Sequence, residues 1–132
     1  HNDIRIENGI KYGDVLSGVN FDYAAKLTAV NAISLATLAS SPRPPKNIKI
    51  GGIVEPSVKF KWEHPDDKSI KGYKIYWRET TSSTWDNSRL IDKVDNYTLE
   101  GIVIDNFIFG ISTVNKKGFE SLVSFPQGTF RD

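Results

Sequence analysis

The sequence predicts a mainly β domain, a seven-stranded antiparallel sandwich preceded by a loop and one α-helix. Three observations carry that expectation. An alanine-rich apolar run lies near the N-terminus, a proline-rich stretch follows it, and seven short segments of alternating character fill the remaining ninety or so residues.

Taken in order, the first twenty residues are polar and punctuated by Gly9, Gly13 and Gly18, which reads as loop. Asn20 is an expected N-cap for a helix from Phe21 to Ala39, with Asp22 in the first turn, where an acid suits the helix dipole. Alanines at 24, 25, 29, 32, 36 and 39 favour that helix. Ser40-Ser41-Pro42-Arg43-Pro44-Pro45 ends it and forms a short stiff connector. Apolar side chains cover about half the helical wheel, and Tyr23, Val30 and Ile33 occupy the other side. Only Asp22 and Lys26 are charged. Such a helix wants burial over most of its circumference, and the natural partner is a domain upstream. The division expected is therefore 1–41, the end of an upstream domain, and 42–132, the sandwich.

From Asn47 the period becomes two. Strands are expected at 47–50, 57–62, 72–79, 88–94, 97–102, 107–115 and 122–125 or slightly beyond. Val58, Phe60 and Trp62 share one face of the second, and Tyr73, Ile75 and Trp77 oppose Lys74, Tyr76 and Arg78 in the third. Gly51-Gly52, His64-Pro65-Asp66-Asp67, Asp95-Asn96 and Lys116-Lys117-Gly118 mark turns. The expected core comprises Trp62, Tyr73, Ile75, Leu99, Phe107, Phe109 and Ile111.

Composition excludes several classes. Of 132 residues, 39% are hydrophobic and 25% charged, ordinary values for a globular chain. The formal net charge is +1, with no excess suited to nucleic acid or an anionic membrane. Cysteine is absent, which removes disulfides and cysteine metal sites. No apolar run reaches the 18 or so residues of a membrane span. A chain with no Met that opens His1-Asn2-Asp3 is expected to be a piece of a longer protein.

Pro44-Pro45-Lys46-Asn47-Ile48, Val58-Lys59-Phe60-Lys61-Trp62 and the run from Ile70 through Gly72-Tyr73-Lys74-Ile75-Tyr76-Trp77 to Arg78 resemble the first half of a fibronectin type III module, an immunoglobulin-like sandwich. Tyr97-Thr98-Leu99-Glu100-Gly101-Ile102, Phe107-Ile108-Phe109-Gly110-Ile111 and the run from Val114 to Ser121 resemble the second half. The resemblance implies a core position for Trp62. It departs at Phe107, where the family carries a tyrosine whose hydroxyl ties back to the backbone, a loss of about 0.5–1.5 kcal/mol.

The leading segment, from His1-Asn2-Asp3 through Tyr12-Gly13-Asp14 to the Val19–Ala32 run, is similar to the C-terminal end of secreted bacterial di-zinc aminopeptidases related to glutamate carboxypeptidase and the transferrin receptor. The resemblance implies a zinc-dependent catalytic domain upstream, with the module as accessory, spacer or docking unit. It also implies a bacterial parent that is secreted, periplasmic or at the cell surface. His1 would neighbour the zinc site or be a remnant of a tag. No residue of this chain is expected to be catalytic, to ligate metal or to bind a cofactor.

The remaining constellations are bland. His64 stands in a solvated turn with Glu63, Asp66 and Asp67. The run Thr80-Thr81-Ser82-Ser83-Thr84 has no His-plus-acid partner, so a flexible loop is expected. Asn96-Tyr97-Thr98 fits the N-glycosylation pattern, which in a bacterial protein is expected to be chance. Tyr76, Trp85 and Phe119 are candidates for a stacking platform, the mark of the alternative reading as an autonomous protein- or glycan-binding module. Lastly, a fragment without its upstream domain is expected to dock the helix on the sandwich or to self-associate through it.

Overall fold

The computed structural model describes residues 3–52 and 55–130, so His1 lies outside the described residues. The chain forms two compact units, His1–Ala39 and Ser40–Asp132, dividing two residues before the expected 41/42 boundary.

The first unit opens with a hairpin where loop was expected. β1 (Arg5–Glu7) pairs antiparallel with β2 (Ile10–Tyr12), with Glu7 opposite Ile10. The two-residue turn is Asn8-Gly9, both at positive φ (51° and 79°), the geometry that matches the right-handed twist of the strands. After a 3₁₀ turn at Leu16–Gly18 comes α1 (Phe21–Ser40). Asn20 caps it, its Oδ1 accepting the Tyr23 N–H at 3.0 Å. The hydroxyls of Thr28, Ser34 and Thr37 donate to the carbonyls of Ala24, Val30 and Ile33. These polar side chains thus spend a hydrogen bond on their own helix, leaving a largely apolar cylinder. No residue of α1 is buried.

The second unit is the sandwich. One sheet has the order β7–β4–β3–β9 and the other β6–β5–β8. Their members are β3 (Lys46–Gly51), β4 (Ser57–Glu63), β5 (Ile70–Glu79), β6 (Asn87–Asp92), β7 (Asn96–Glu100), β8 (Phe107–Asn115) and β9 (Gly128–Thr129). Period-two alternation sends Val58, Phe60 and Trp62 of β4 and Tyr73 and Ile75 of β5 into the space between the sheets. There they meet Ile48, Ile70, Leu99, Phe109 and Ile111. Edge-on aromatic pairs lock the layers: Phe60 with Phe109 at 5.5 Å and Trp62 with Tyr73 at 5.2 Å. Each such pair contributes about 0.5–1.5 kcal/mol beyond burial. Of the expected core, Trp62, Tyr73, Ile75, Leu99, Phe109 and Ile111 are buried. Phe107 is only half-buried, because it opens β8 at the rim and packs against the core from outside, 6.2 Å from Phe109.

The seventh strand differs from expectation. Residues 122–125 form no continuous strand. Ser121 N–H donates to Thr113 O and Ser124 exchanges two bonds with Ile111, so Ser112 of β8 faces two residues of the tail, Leu122 and Val123. The Thr113 N–H is taken instead by the Ser121 hydroxyl at 2.9 Å, and Leu122 is extruded, 73% exposed. Past Pro126, which has no N–H to give, the chain crosses to the other sheet and β9 runs parallel to β3. Gln127 N–H meets Ile48 O and Phe130 N–H meets Ile50 O.

Candidate functional site

The most elaborate surface of the sandwich is the outer face of β6–β5–β8. Register sets its contents: Lys74 lies opposite Ser112, Tyr76 opposite Gly110 and Arg78 opposite Ile108. These are the side chains that alternation turns away from the core. Gly110 leaves a gap beside Tyr76, and Trp85, from the loop between β5 and β6, fills it from above together with Val123 of the tail.

The result is a stack. Tyr76 lies 5.5 Å from Trp85, and Trp85 lies 5.8 Å from Phe125. Lys74 Nζ sits 4.8 Å from the Tyr76 ring centre and the Arg78 guanidinium 5.7 Å from that of Trp85. Arg78 also donates to the carbonyl oxygen of Ser82, and Glu79 N–H donates to Asp86 Oδ2 at 3.0 Å. The Ser/Thr-rich loop is therefore tied to the sheet at both ends.

Glu120 closes the stack from the tail. Its Oε1 accepts the hydroxyls of Tyr76 and of Ser112 (2.6 Å), and Lys74 approaches Oε2 at 3.6 Å. Burial, then the Glu120 contact, raises the Tyr76 phenol above its ordinary pKa. The Tyr76 hydroxyl, aided by the Glu120 charge, likewise raises Lys74. Ser112 beside Glu120 is a hydroxyl–carboxylate pair, yet Ser112 is fully buried and no substrate reaches it. Tyr76 and Trp85 show only rims to solvent, and Phe119 is half-buried. Phe125, 53% exposed, is the one ring of the stack that stands well out.

A second feature is an open groove of about 540 Å³ beside the bulge in β3, floored by Trp62 and bordered by Lys49, Lys61 and Gln127. Lys49 and Lys61 are direct cross-strand neighbours, and Lys61 rests on the Phe130 ring.

His64 does more than the sequence suggested. Its ring stacks on Tyr73 at 5.6 Å, and Nδ1 and the Tyr73 hydroxyl share a hydrogen bond of 2.5 Å. Burial raises the Tyr73 phenol. Nearby Asp67 is held below the ordinary carboxylate range by Ser69, first through its hydroxyl and then through its N–H at 2.7 Å. Among the described residues no three His, Cys, Asp or Glu side chains converge, and His64 has a ring nitrogen committed to Tyr73. These residues do not fit a zinc site.

The stack escaped sequence reading because it depends on register. Only the pairing of Tyr76 with Gly110 reveals that Trp85 has a seat.

Comparison with known proteins adds three findings. A family model described as fibronectin type III domain matches residues 43–126. Curated relatives are fungal: a "Probable zinc metalloprotease" of Pyrenophora tritici-repentis is 36% identical over 127 residues, 96% of this chain and 26% of that protein. Another so named, from Pyrenophora teres f. teres, is 33% identical over 137 aligned positions, 100% of this chain and 30% of that protein. The chain thus spans under a third of these relatives, and they are fungal where bacterial ones were expected. Among solved structures, the twitchin kinase region of C. elegans matches at TM-score 0.51 and 27% identity, over 63% of this chain and 15% of that one. An Fn3-like protein from Clostridium thermocellum matches at 0.52 and 17%, over 64% and 88%, a likeness of fold alone.

Proposed function

The chain belongs to the fibronectin type III family, and on that premise we propose that it is the accessory tail of a secreted zinc-dependent aminopeptidase. The observation that carries the reading is where similarity stops. The fibronectin model begins at residue 43, whereas similarity to the proteins named probable zinc metalloproteases covers 96–100% of the chain. It therefore runs back through the linker into α1. The stretches that form hairpin, helix and sandwich here are matched together in those proteins, as the end of one domain and its appended module would be.

The helix supports the same reading. An apolar cylinder with its hydroxyls turned onto its own carbonyls suits packing inside a larger domain. Zinc and the catalytic groups then belong to the parent beyond this chain, and the sandwich acts as spacer or docking unit. The rival, an autonomous glycan- or protein-binding module, is less favoured, because Lys74, Arg78 and Phe125 already occupy the ring faces a ligand would stack on.

The test is release of amino-terminal residues from chromogenic aminoacyl substrates by the full parent, with and without a chelator, using this chain as blank. Chelator-sensitive hydrolysis by the parent alone is expected. A folded, zinc-loaded parent that is inactive across a broad panel would sink the aminopeptidase reading.

A further inference from the structure

We propose that Asn96 is an N-glycan acceptor and that its glycan covers the open edge of the four-stranded sheet. The proposal rests on the secreted reading above. Asn96-Tyr97-Thr98 is the one Asn-x-Ser/Thr match in the 132 residues, and the relatives are fungal, so the reason for setting it aside as bacterial chance is gone.

The strand presents the motif well. Among the described residues β7 is an outer strand, paired only with β4. Alternation turns Tyr97 and Leu99 toward the core and leaves Asn96 and Thr98 side by side on the outer face, both exposed. Across from them stand Lys61 and Lys59, slender side chains that leave the space above open. The Asn96 carboxamide donates to exposed Asp95, at 2.8 Å.

The transfer balances without help from this chain. Asn96 Nδ2 bonds to the anomeric carbon of a lipid-pyrophosphate-linked oligosaccharide. The bond from that carbon to the pyrophosphate oxygen breaks, the pyrophosphate leaves with the electron pair, and the amide proton passes to a base of the transferase. The Thr98 hydroxyl, two residues on, takes no sugar; it completes the motif that the transferase recognises.

The glycan has a structural use. Among the described residues no strand pairs with the outer side of β7, and within the strand neither lysine nor proline blunts it; Glu100 is its only charge. A bulky sugar at the start of the strand keeps another strand from pairing there.

The experiment places the full 132-residue chain behind a heterologous secretion leader in yeast, alongside the parent with its own leader. Secreted, folded chain should show one endoglycosidase-sensitive mass shift, mapped to Asn96 by peptide mass spectrometry. The shift should vanish in Asn96→Gln and in Thr98→Ala and persist in Thr98→Ser. Secreted, folded chain with Asn96 unmodified overturns the assignment. Glycosylation of this chain together with intracellular retention of the parent would support the acceptor while sinking the secreted reading. For the edge, the Asn96→Gln chain should self-associate several-fold more readily than the glycosylated one; equal association overturns the covering role.

Discussion

Replacing Gly110 by alanine separates packing from propensity, because the two predict opposite signs. Glycine inside a strand weakens it by about 0.5–1 kcal/mol relative to alanine, so propensity alone expects Gly110→Ala to stabilise. The stack expects the reverse. A Cβ at 110 would lie 2.4 Å from Val123 Cγ1 and 3.1–3.2 Å from two ring carbons of Trp85. Ordinary carbon contacts lie near 3.5–4.0 Å, so the valine contact falls short by more than an ångström. Val123 is stiff at χ1, and Trp85 is pinned between Tyr76 and Phe125. Overpacking of this kind costs about 1–3 kcal/mol. Net of propensity, a loss of up to about 2.5 kcal/mol is expected, each kcal/mol lowering the melting temperature by roughly 4–8 °C for a domain this size. Urea unfolding of the full chain, followed by tryptophan fluorescence, measures it. Because Val123 supplies the nearest atom, Val123→Ala in the Gly110→Ala background should recover part of the loss, and a double-mutant cycle should show coupling. A Gly110→Ala chain as stable as the parent sequence, or more so, would refute the account of the stack.

Gly72→Ala should cost at least as much, at or above the top of the same range, since its Cβ would meet the Ile91 carbonyl oxygen at 2.2 Å and backbone yields less than a side chain; unfolding in urea gives the comparison. On the alkaline side stability should fall. Tyr73, Tyr76 and Lys74 keep their protons to higher pH folded than unfolded, so their contribution is complete below about pH 10 and drains away as pH rises beyond it. Melting temperatures from pH 8 to 11 should show this, with a shallower fall in Tyr76→Phe. Finally, sedimentation of the Asn96-glycosylated chain should find concentration-dependent association of the full chain, removed when residues 1–41 are deleted; a monomer at all concentrations would count against the apolar helix as a docking surface.

Much of the sandwich was legible because alternation is local. Val58, Phe60 and Trp62 declare their face within five residues, as do Tyr73, Ile75 and Trp77. The N-terminal hairpin was missed: Asn8-Gly9 between Arg5-Ile6-Glu7 and Ile10-Lys11-Tyr12 is a hairpin signal, but three-residue strands beside so many glycines read as loop. The tail was not. Leu122-Val123-Ser124-Phe125 is rich enough in apolar residues to read as a strand, and nothing local says that the Ser121 hydroxyl will take a ladder N–H and slip the register. Phe107 had the right character for the core, but its place at the start of β8 sets it at the rim.

The parallel pairing of β9 with β3 has a mechanical consequence. The chain enters the sandwich at Lys46 and, after traversing both sheets, leaves past Phe130 beside the far end of that same first strand. Entry and exit therefore lie at opposite poles of the module. Tension between them pulls β3 backward and β9 forward, so the bonds of Ile48 O to Gln127 and of Ile50 O to Phe130 are loaded in shear, together, instead of being peeled apart one at a time.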